Sequence, residues 1–259
     1  MKEITRISPD ELARQQIYID QIAEENAEYF ARTGRRRLAY THTYGCQQNV
    51  SDGERIDGML AQMGYGRAES VEEADFILYN TCAVREGAED RVYGNAGALK
   101  HLKNRNKELI LAIAGCMVQQ KSVADKLYKS FPYIDLVMGT HVLHRFPELL
   151  FRVMKEKQRV YELPESEGVV AEGLPVLRSD SIHAWLPVMN GCDNFCSYCI
   201  VPHVRGRERS RRPGDILREA SDIVAAGYKE ITLLGQNVNS YGKNLEGAPG
   251  FPDLLRSIC

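Results

Sequence analysis

No stretch of this chain is apolar enough to cross a bilayer. Its longest hydrophobic run, Leu109 to Val118 (LILAIAGCMV), falls short of the roughly 20 residues that a spanning helix needs. The opening segment, MKEITRISPDELARQQ, lacks the apolar core of a signal peptide, so the expected location is the cytoplasm. A basic excess is missing too. The 33 Lys and Arg are set against 35 Asp and Glu, a formal charge of −2, and no global field announces a nucleic acid. Internal repeats and low-complexity segments are also absent. What remains is ordinary globular material, 259 residues with 44% hydrophobic and 26% charged, enough for one or two domains.

Cysteine, by contrast, is plentiful. Seven cysteines in a chain without an export signal point to metal ligands or reactive thiols rather than disulfides. Three are scattered (Cys46, Cys82, Cys116), three are clustered (Cys192, Cys196, Cys199), and Cys259 is the last residue.

The pattern along the chain alternates. Ser8, Pro9 and Glu11 read as a cap, first helical position and capping box for a helix from about Pro9 to Arg32, stopped by Gly34. Residues 1–37 are thus a helical extension. Four strand–helix units follow: strand RLAYTHT with helix DGERIDGMLAQMG from Asp52, DFILYN with EDRVYGNAGALKHLKN after Cys82, LILAIAG with QKSVADKLYKSF, and IDLVMG with HVLHRFPELLFRVMKE from His141. Their short apolar strands predict an α/β fold with a doubly wound, mostly parallel sheet over residues 38–160. Residues 161–182 carry Pro, Gly, Ser and acids without a period and read as a linker. In residues 183–259 the alternation restarts with HAWLPVMN and KEITLLG. Two strands and one complete helix cannot bury both faces of a parallel sheet. The second domain is therefore expected to be incomplete, and the sequence a fragment of a longer protein.

The clustered cysteines have the spacing C-x3-C-x2-C and lack a fourth ligand. Two metal sites fit. A zinc site would add His203 to make Cys3His, and an iron–sulfur cube would use three thiolates and leave one iron open. A redox pair at Cys196 and Cys199 is a weaker third reading. The scattered cysteines each follow a predicted strand, at intervals of 36 and 34 residues. In a parallel sheet the strand C-termini share one edge, so Cys46, Cys82 and Cys116 are expected to converge there and hold a second cluster. Three unrelated core cysteines are the competing explanation. His42, His101, His141, His144 and His183 show no ligand spacing. Arg205, Arg207, Arg209, Arg211 and Arg212 crowd the segment after the cluster. They are candidate phosphate contacts, or else a solvated loop paired with the linker's acids.

The C-x3-C-x2-C spacing resembles the signature of radical S-adenosylmethionine (SAM) enzymes. More broadly, TYGCQQNVSDGER, NTCAVREGAEDRVYGNAGALK, AGCMVQQ, GCDNFCSYCIVPHVRGRERSR and LLGQNVNSYG occur in this order. Together they resemble the methylthiotransferases, and within them the MiaB-type branch that acts on tRNA. The resemblance implies a partial (β/α) barrel in the second domain and two [4Fe–4S] clusters, on Cys46, Cys82 and Cys116 and on Cys192, Cys196 and Cys199. It also implies SAM at the open iron of the second cluster, with Tyr198 helping to pack its adenine. The implied reaction uses two SAM molecules and an electron donor. It places a methylthio group on C2 of N6-isopentenyladenosine beside the anticodon of tRNA, after a 5′-deoxyadenosyl radical removes the C2 hydrogen. Arg205, Arg207 and Arg209 are then the expected RNA contacts. The chain is expected to be a monomer without a membrane partner, and the missing barrel strands to impair it as a catalyst. A non-catalytic RNA-binding fragment, stabilised by metal or cluster, is the alternative.

Overall fold

The computed structural model describes residues 4–84, 87–164 and 168–259. Arg85 and Glu86 of the motif around Cys82, and Glu165 to Glu167 of the connecting segment, lie outside the described residues.

The chain opens with α1 (Pro9–Thr33), capped as its sequence predicts. Ser8 Oγ accepts from the Glu11 amide at 3.1 Å, and Gly34 closes the helix in the left-handed region at φ 69°. The reciprocal half of the capping box is not made. The Glu11 carboxylate accepts from Arg14 and Gln15 instead.

β1 (Leu38–Tyr44), α2 (Gln47–Gln62), β2 (Gly66–Arg67), β3 (Phe76–Thr81), α3 (Ala88–Ala98), α4 (Lys100–Arg105), β4 (Ile110–Gly115), α5 (Lys121–Ser130), β5 (Leu136–Met138), α6 (Phe146–Glu156) and β6 (Val160–Glu162) follow. The six strands form one sheet in the order β2-β1-β3-β4-β5-β6, and every pairing is parallel. Helices cover both faces. Phe76 and Leu78 point to the face packed by α1, α2 and α6, with Ile22, Met59 and Leu150. Ile77 and Tyr79 point to the other, against Leu99 and Leu102. β3 is buried at all six positions, as a central strand covered on both sides must be.

Several boundaries differ from the sequence reading. Helix α2 begins five residues before the predicted Asp52, directly after Cys46. The single helix expected after Cys82 is two, α3 and α4, hinged at Leu99. The helix expected from His141 starts as a 3-10 turn over Thr140–Arg145 and becomes α-helical at Phe146, where Pro147 occupies the first turn. Strands β2 and β6 are too short for a periodicity to reveal, and β6 takes Tyr161 and Glu162 out of the linker and into the sheet.

The second domain contains β7 (His183–Pro187), β8 (Met189–Asn190), α7 (Val201–Arg205), β9 (Arg209–Ser210), α8 (Pro213–Ala225), β10 (Glu230–Leu234) and α9 (Phe251–Ile258). β7 and β10 pair in parallel, and β8 and β9 form a small antiparallel ribbon. Ala184, Leu186 and Val188 pack against Ile216, Ala220 and Ile223 of α8.

At Val170, Leu177 and Ser179 the connecting segment is bound to the N-terminal part of the chain. Val170 bridges to Arg6, the Leu177 amide donates to the Glu54 carbonyl at 2.8 Å, and Ser179 donates twice to the Glu54 carboxylate at 3.0 Å. Among the described residues, no helix is long and apolar enough to cross a membrane.

Candidate metal centres

The sheet register brings the scattered cysteines together. Tyr44 pairs with Thr81, and Thr81 pairs with Gly115. Cys82 and Cys116 directly follow two of these residues, and Cys46 follows the third, Tyr44, with Gly45 between them. All three therefore stand at the C-terminal edge of consecutive parallel strands, the expected placement.

Asn49 joins them. It is fully buried in the first turn of α2, and its Oδ1 accepts from the Cys46 thiol at 3.3 Å and the Cys116 thiol at 3.9 Å. Its Nδ2 is anchored on the Thr81 carbonyl at 2.9 Å, and Asn80 Nδ2 donates back to the Asn49 carbonyl at 2.6 Å. The Cys82 sulfur accepts the Val84 amide at 3.4 Å. A hydrogen bond to Cys82, and then burial, push the Cys46 thiol up. Burial pushes the Cys116 thiol up against the pull of Arg205. Gly115 makes the close approach possible. At φ 103° a Cβ would collide with the Thr81 carbonyl and stand 2.6 Å from Asn80 Oδ1.

Arg205 completes this site from the other domain. Its Nε donates to the Cys116 sulfur at 3.1 Å, and its Nη2 donates to Asp52 Oδ2 at 2.8 Å. Burial works against its charge, but Asp52 and the Cys116 thiol more than offset this and hold its proton more firmly than usual.

The clustered triplet lies on the loop that follows β8. Cys192 is buried, Cys199 is half-buried and Cys196 is exposed. Gly191, at φ 80°, turns the chain where any Cβ would strike the Arg207 carbonyl. The Cys192 amide donates to the Gly206 carbonyl at 3.2 Å. Two residues of LLGQNVN brace the loop. Gln236 Oε1 accepts from the Gly191 amide, and Asn237 Nδ2 donates to Glu208 at 3.2 Å. Tyr198 is 89% exposed, an open ring beside the last two cysteines. His203 is exposed on α7, with its ring edge-on to Phe195.

Among the described residues, no three Cys, His, Asp or Glu side chains already stand in metal-ligand geometry, and the zinc set with His203 is not assembled. The N-terminal thiols are occupied with Asn49, Arg205 and one another. The donor set nonetheless suits an anionic cluster held by thiolates: three sulfurs at one sheet edge, and a fixed guanidinium against one of them.

Two of the expected RNA contacts are corrected. Arg205 and Arg209 are 5% and 6% exposed. Arg205 is directed at Cys116 and Asp52, and Arg209 donates to the carbonyls of Arg205 and Arg207. Neither presents a charge to a phosphate. Arg207 does reach solvent, over the Phe195 ring and 3.5 Å from Asp193. The sequence reading missed Asn49 and Asp52. The signal was the spacing Cys46-x2-Asn49-x2-Asp52, which keeps all three on one side of a helix.

Comparison with known proteins agrees with this layout. Residues 38–139 match the family described as Uncharacterized protein family UPF0004, and residues 186–257 match the Radical SAM superfamily. A tRNA-2-methylthio-N(6)-dimethylallyladenosine synthase of Acetivibrio thermocellus is 48% identical over 252 residues, 97% of this chain and 52% of that protein. The same-named protein of Clostridioides difficile is 49% identical over 257 residues, 99% of this chain and 54% of the relative. Over nearly its whole length the chain is similar to these synthases, and its two parts match the two family models. It spans about half the length of these curated relatives. Among solved structures, a radical S-adenosylmethionine methyltransferase, TsrM, from Kitasatospora setae superimposes with a TM-score of 0.54 at 12% identity, covering 85% of this chain and 50% of that one. At that identity the likeness speaks to fold alone.

Proposed function

We propose that this chain carries the two cluster-binding domains of a tRNA methylthiotransferase, which places a methylthio group on C2 of N6-isopentenyladenosine. The observation that supports this best is the meeting of Cys46, Cys82 and Cys116 at one sheet edge, in a chain whose second domain presents C-x3-C-x2-C on a loop after a strand.

The chain's own residues have separable tasks. Cys46, Cys82 and Cys116 would hold the auxiliary [4Fe–4S] cluster, and Cys192, Cys196 and Cys199 the second. Each triplet leaves one iron open for an exchangeable ligand. When bound, such clusters supply electrons for cleaving SAM and a site for transferable sulfur, chemistry that no side chain offers to an aromatic C–H bond at neutral pH. Gly191 allows the loop's tight turn, and Gln236 and Asn237 hold it in place. Tyr198 offers a face for the adenine of SAM. Arg207, over Phe195, is the remaining arginine of the three able to meet a tRNA phosphate. An external electron donor, a monomeric state and work in the cytoplasm, where tRNA is found, belong to the same proposal.

The test is anaerobic reconstitution followed by iron analysis and incubation with reductant, SAM and isopentenylated tRNA. About eight irons per chain are expected from two cubes, with 2-methylthio nucleoside in digested tRNA. A single zinc and no iron would instead support a metal-stabilised RNA-binding module.

A further inference from the structure

One side chain connects the two candidate sites. Arg205 ends α7, six residues after Cys199, so its backbone continues the C-x3-C-x2-C loop. That backbone is fixed: Thr140 Oγ1 donates to the Val204 carbonyl at 2.7 Å, and Arg209 Nη2 donates to the Arg205 carbonyl at 2.8 Å. The side chain then crosses the domain boundary and places Nε 3.1 Å from the Cys116 sulfur. Asp52 fixes the guanidinium at 2.8 Å, and Asn49 Oδ1 accepts from Nη2 at 3.4 Å. Asp52 is itself held by Gln48 Nε2 at 3.4 Å. The Arg205 side chain is 6% exposed, so bulk water does not screen it and a phosphate cannot reach it.

We propose that Arg205 is a positioning residue that raises the reduction potential of the auxiliary cluster by donating a charged hydrogen bond to its Cys116 ligand, and thereby links that cluster to the loop that holds the other one. This rests on the assignment of Cys46, Cys82 and Cys116 as cluster ligands. A cluster gains negative charge on reduction. A buried cation bonded to a ligand sulfur therefore stabilises the reduced form more than the oxidised one. Asp52 tempers the effect without cancelling it, because the carboxylate lies on the Nη2 side while Nε faces the sulfur. Domain docking alone does not account for the placement. Thr140 to Val204, Arg6 to Ser210 and Arg55 to Glu219 make cross-links to the second domain that do not involve Arg205, and none of these contacts is made to a cysteine sulfur.

The test is a redox titration of the reconstituted 259-residue chain, followed by electron paramagnetic resonance. It is done once with all six ligand cysteines and once with Cys192, Cys196 and Cys199 replaced by Ala, so that one cluster reports. Arg205→Gln should lower the midpoint potential, and Arg205→Lys, which keeps the charge but not the planar fork, should restore part of the shift. Arg6→Gln loosens a contact to the Ser210 carbonyl without touching Arg205 or sulfur and should leave the potential unmoved. If Gln at position 205 fails to retain iron, the Lys variant carries the measurement, with a smaller fall expected at full iron content. Equal potentials in the parent, Lys and Gln proteins at about four irons per cluster would overturn the proposal. So would an Arg6→Gln shift as large as that of Arg205→Gln. A parent protein without iron on the N-terminal cysteines would refute the cluster assignment itself, which is distinguishable because iron is counted before any potential is read.

Discussion

Arg211 Nη1 lies 2.7 Å from Glu219 Oε2, an ion pair between the start of the second domain and its first full helix. The same guanidinium reaches Glu172 of the connecting segment at 2.6 Å, and its side chain is 7% exposed. Arg178 and Arg55 approach Glu219 from the first-domain side, at 3.3 and 3.9 Å. Removing one partner from a buried pair costs about 3–5 kcal/mol, since the remaining charge is left without compensation. Because Glu219 keeps two other arginines, Arg211→Met should lose stability near the lower end of that range. Urea unfolding followed by circular dichroism reads it. A loss below about 1 kcal/mol would place this pair among ordinary surface ion pairs.

The strand-end glycine gives a second prediction. Gly115→Ala forces a side chain into a left-handed position and against the Thr81 carbonyl. Strain of this kind costs about 1–3 kcal/mol. It falls on the residue directly before Cys116, so iron retained on the N-terminal triplet should drop more than the helical content does. Full iron content with an unchanged melting temperature would show that the strand end yields easily.

The two triplets should load separately. With Cys192, Cys196 and Cys199 replaced by Ala, about four irons per chain should remain on Cys46, Cys82 and Cys116. Iron content of zero in a variant with a native circular dichroism spectrum would contradict two independent sites.

Acid should weaken the first domain in a defined window. His144 is buried beside α1 and α6, where Glu11, Arg14, Arg145 and Glu148 are its charged neighbours. Burial lowers its pKa to about 4, with Arg145 and Arg14 adding to the fall and Glu11 and Glu148 opposing it. The unfolded chain takes up this proton near the ordinary histidine value of about 6.5, whereas the folded chain resists until about 4. The stability it contributes is thus fully present above pH 6.5 and is lost as pH falls through about 4. Glu219, whose pKa lies below the usual glutamate range despite burial because of Arg211 and Arg55, loses its contribution further into acid. The thermal midpoint should fall between pH 6.5 and 4 in the parent and less steeply in His144→Asn. Parallel curves would assign the acid sensitivity elsewhere.

Much of this layout can be read from the sequence because a parallel sheet repeats one geometric rule. A strand, a turn and a helix place the residue after each strand on the same edge, so Cys46, Cys82 and Cys116 can be brought together without any side-chain detail. The edge strands Gly66–Arg67 and Val160–Glu162 were not legible, since two or three residues carry no alternation. The arginines were misread for a different reason. In a linear sequence, Arg205 and Arg209 look like a basic loop. Nothing local says that α7 turns Arg205 inward, toward a carboxylate at Asp52 that lies 153 positions away, or that Arg209 folds back onto the carbonyls of Arg205 and Arg207. Charge clusters report composition, whereas burial reports long-range packing.

The parallel register also constrains when the N-terminal triplet can come together. Its three thiols are carried on separate crossovers and meet only after β4 has paired with β3 and β3 with β1. During synthesis, the Cys46 and Cys82 segments leave the ribosome before β4, which leads to Cys116, and parallel pairings of this kind form slowly. In the assembled edge Asn49 Oδ1 accepts from the Cys46 and Cys116 thiols, so the fold itself positions these two sulfurs.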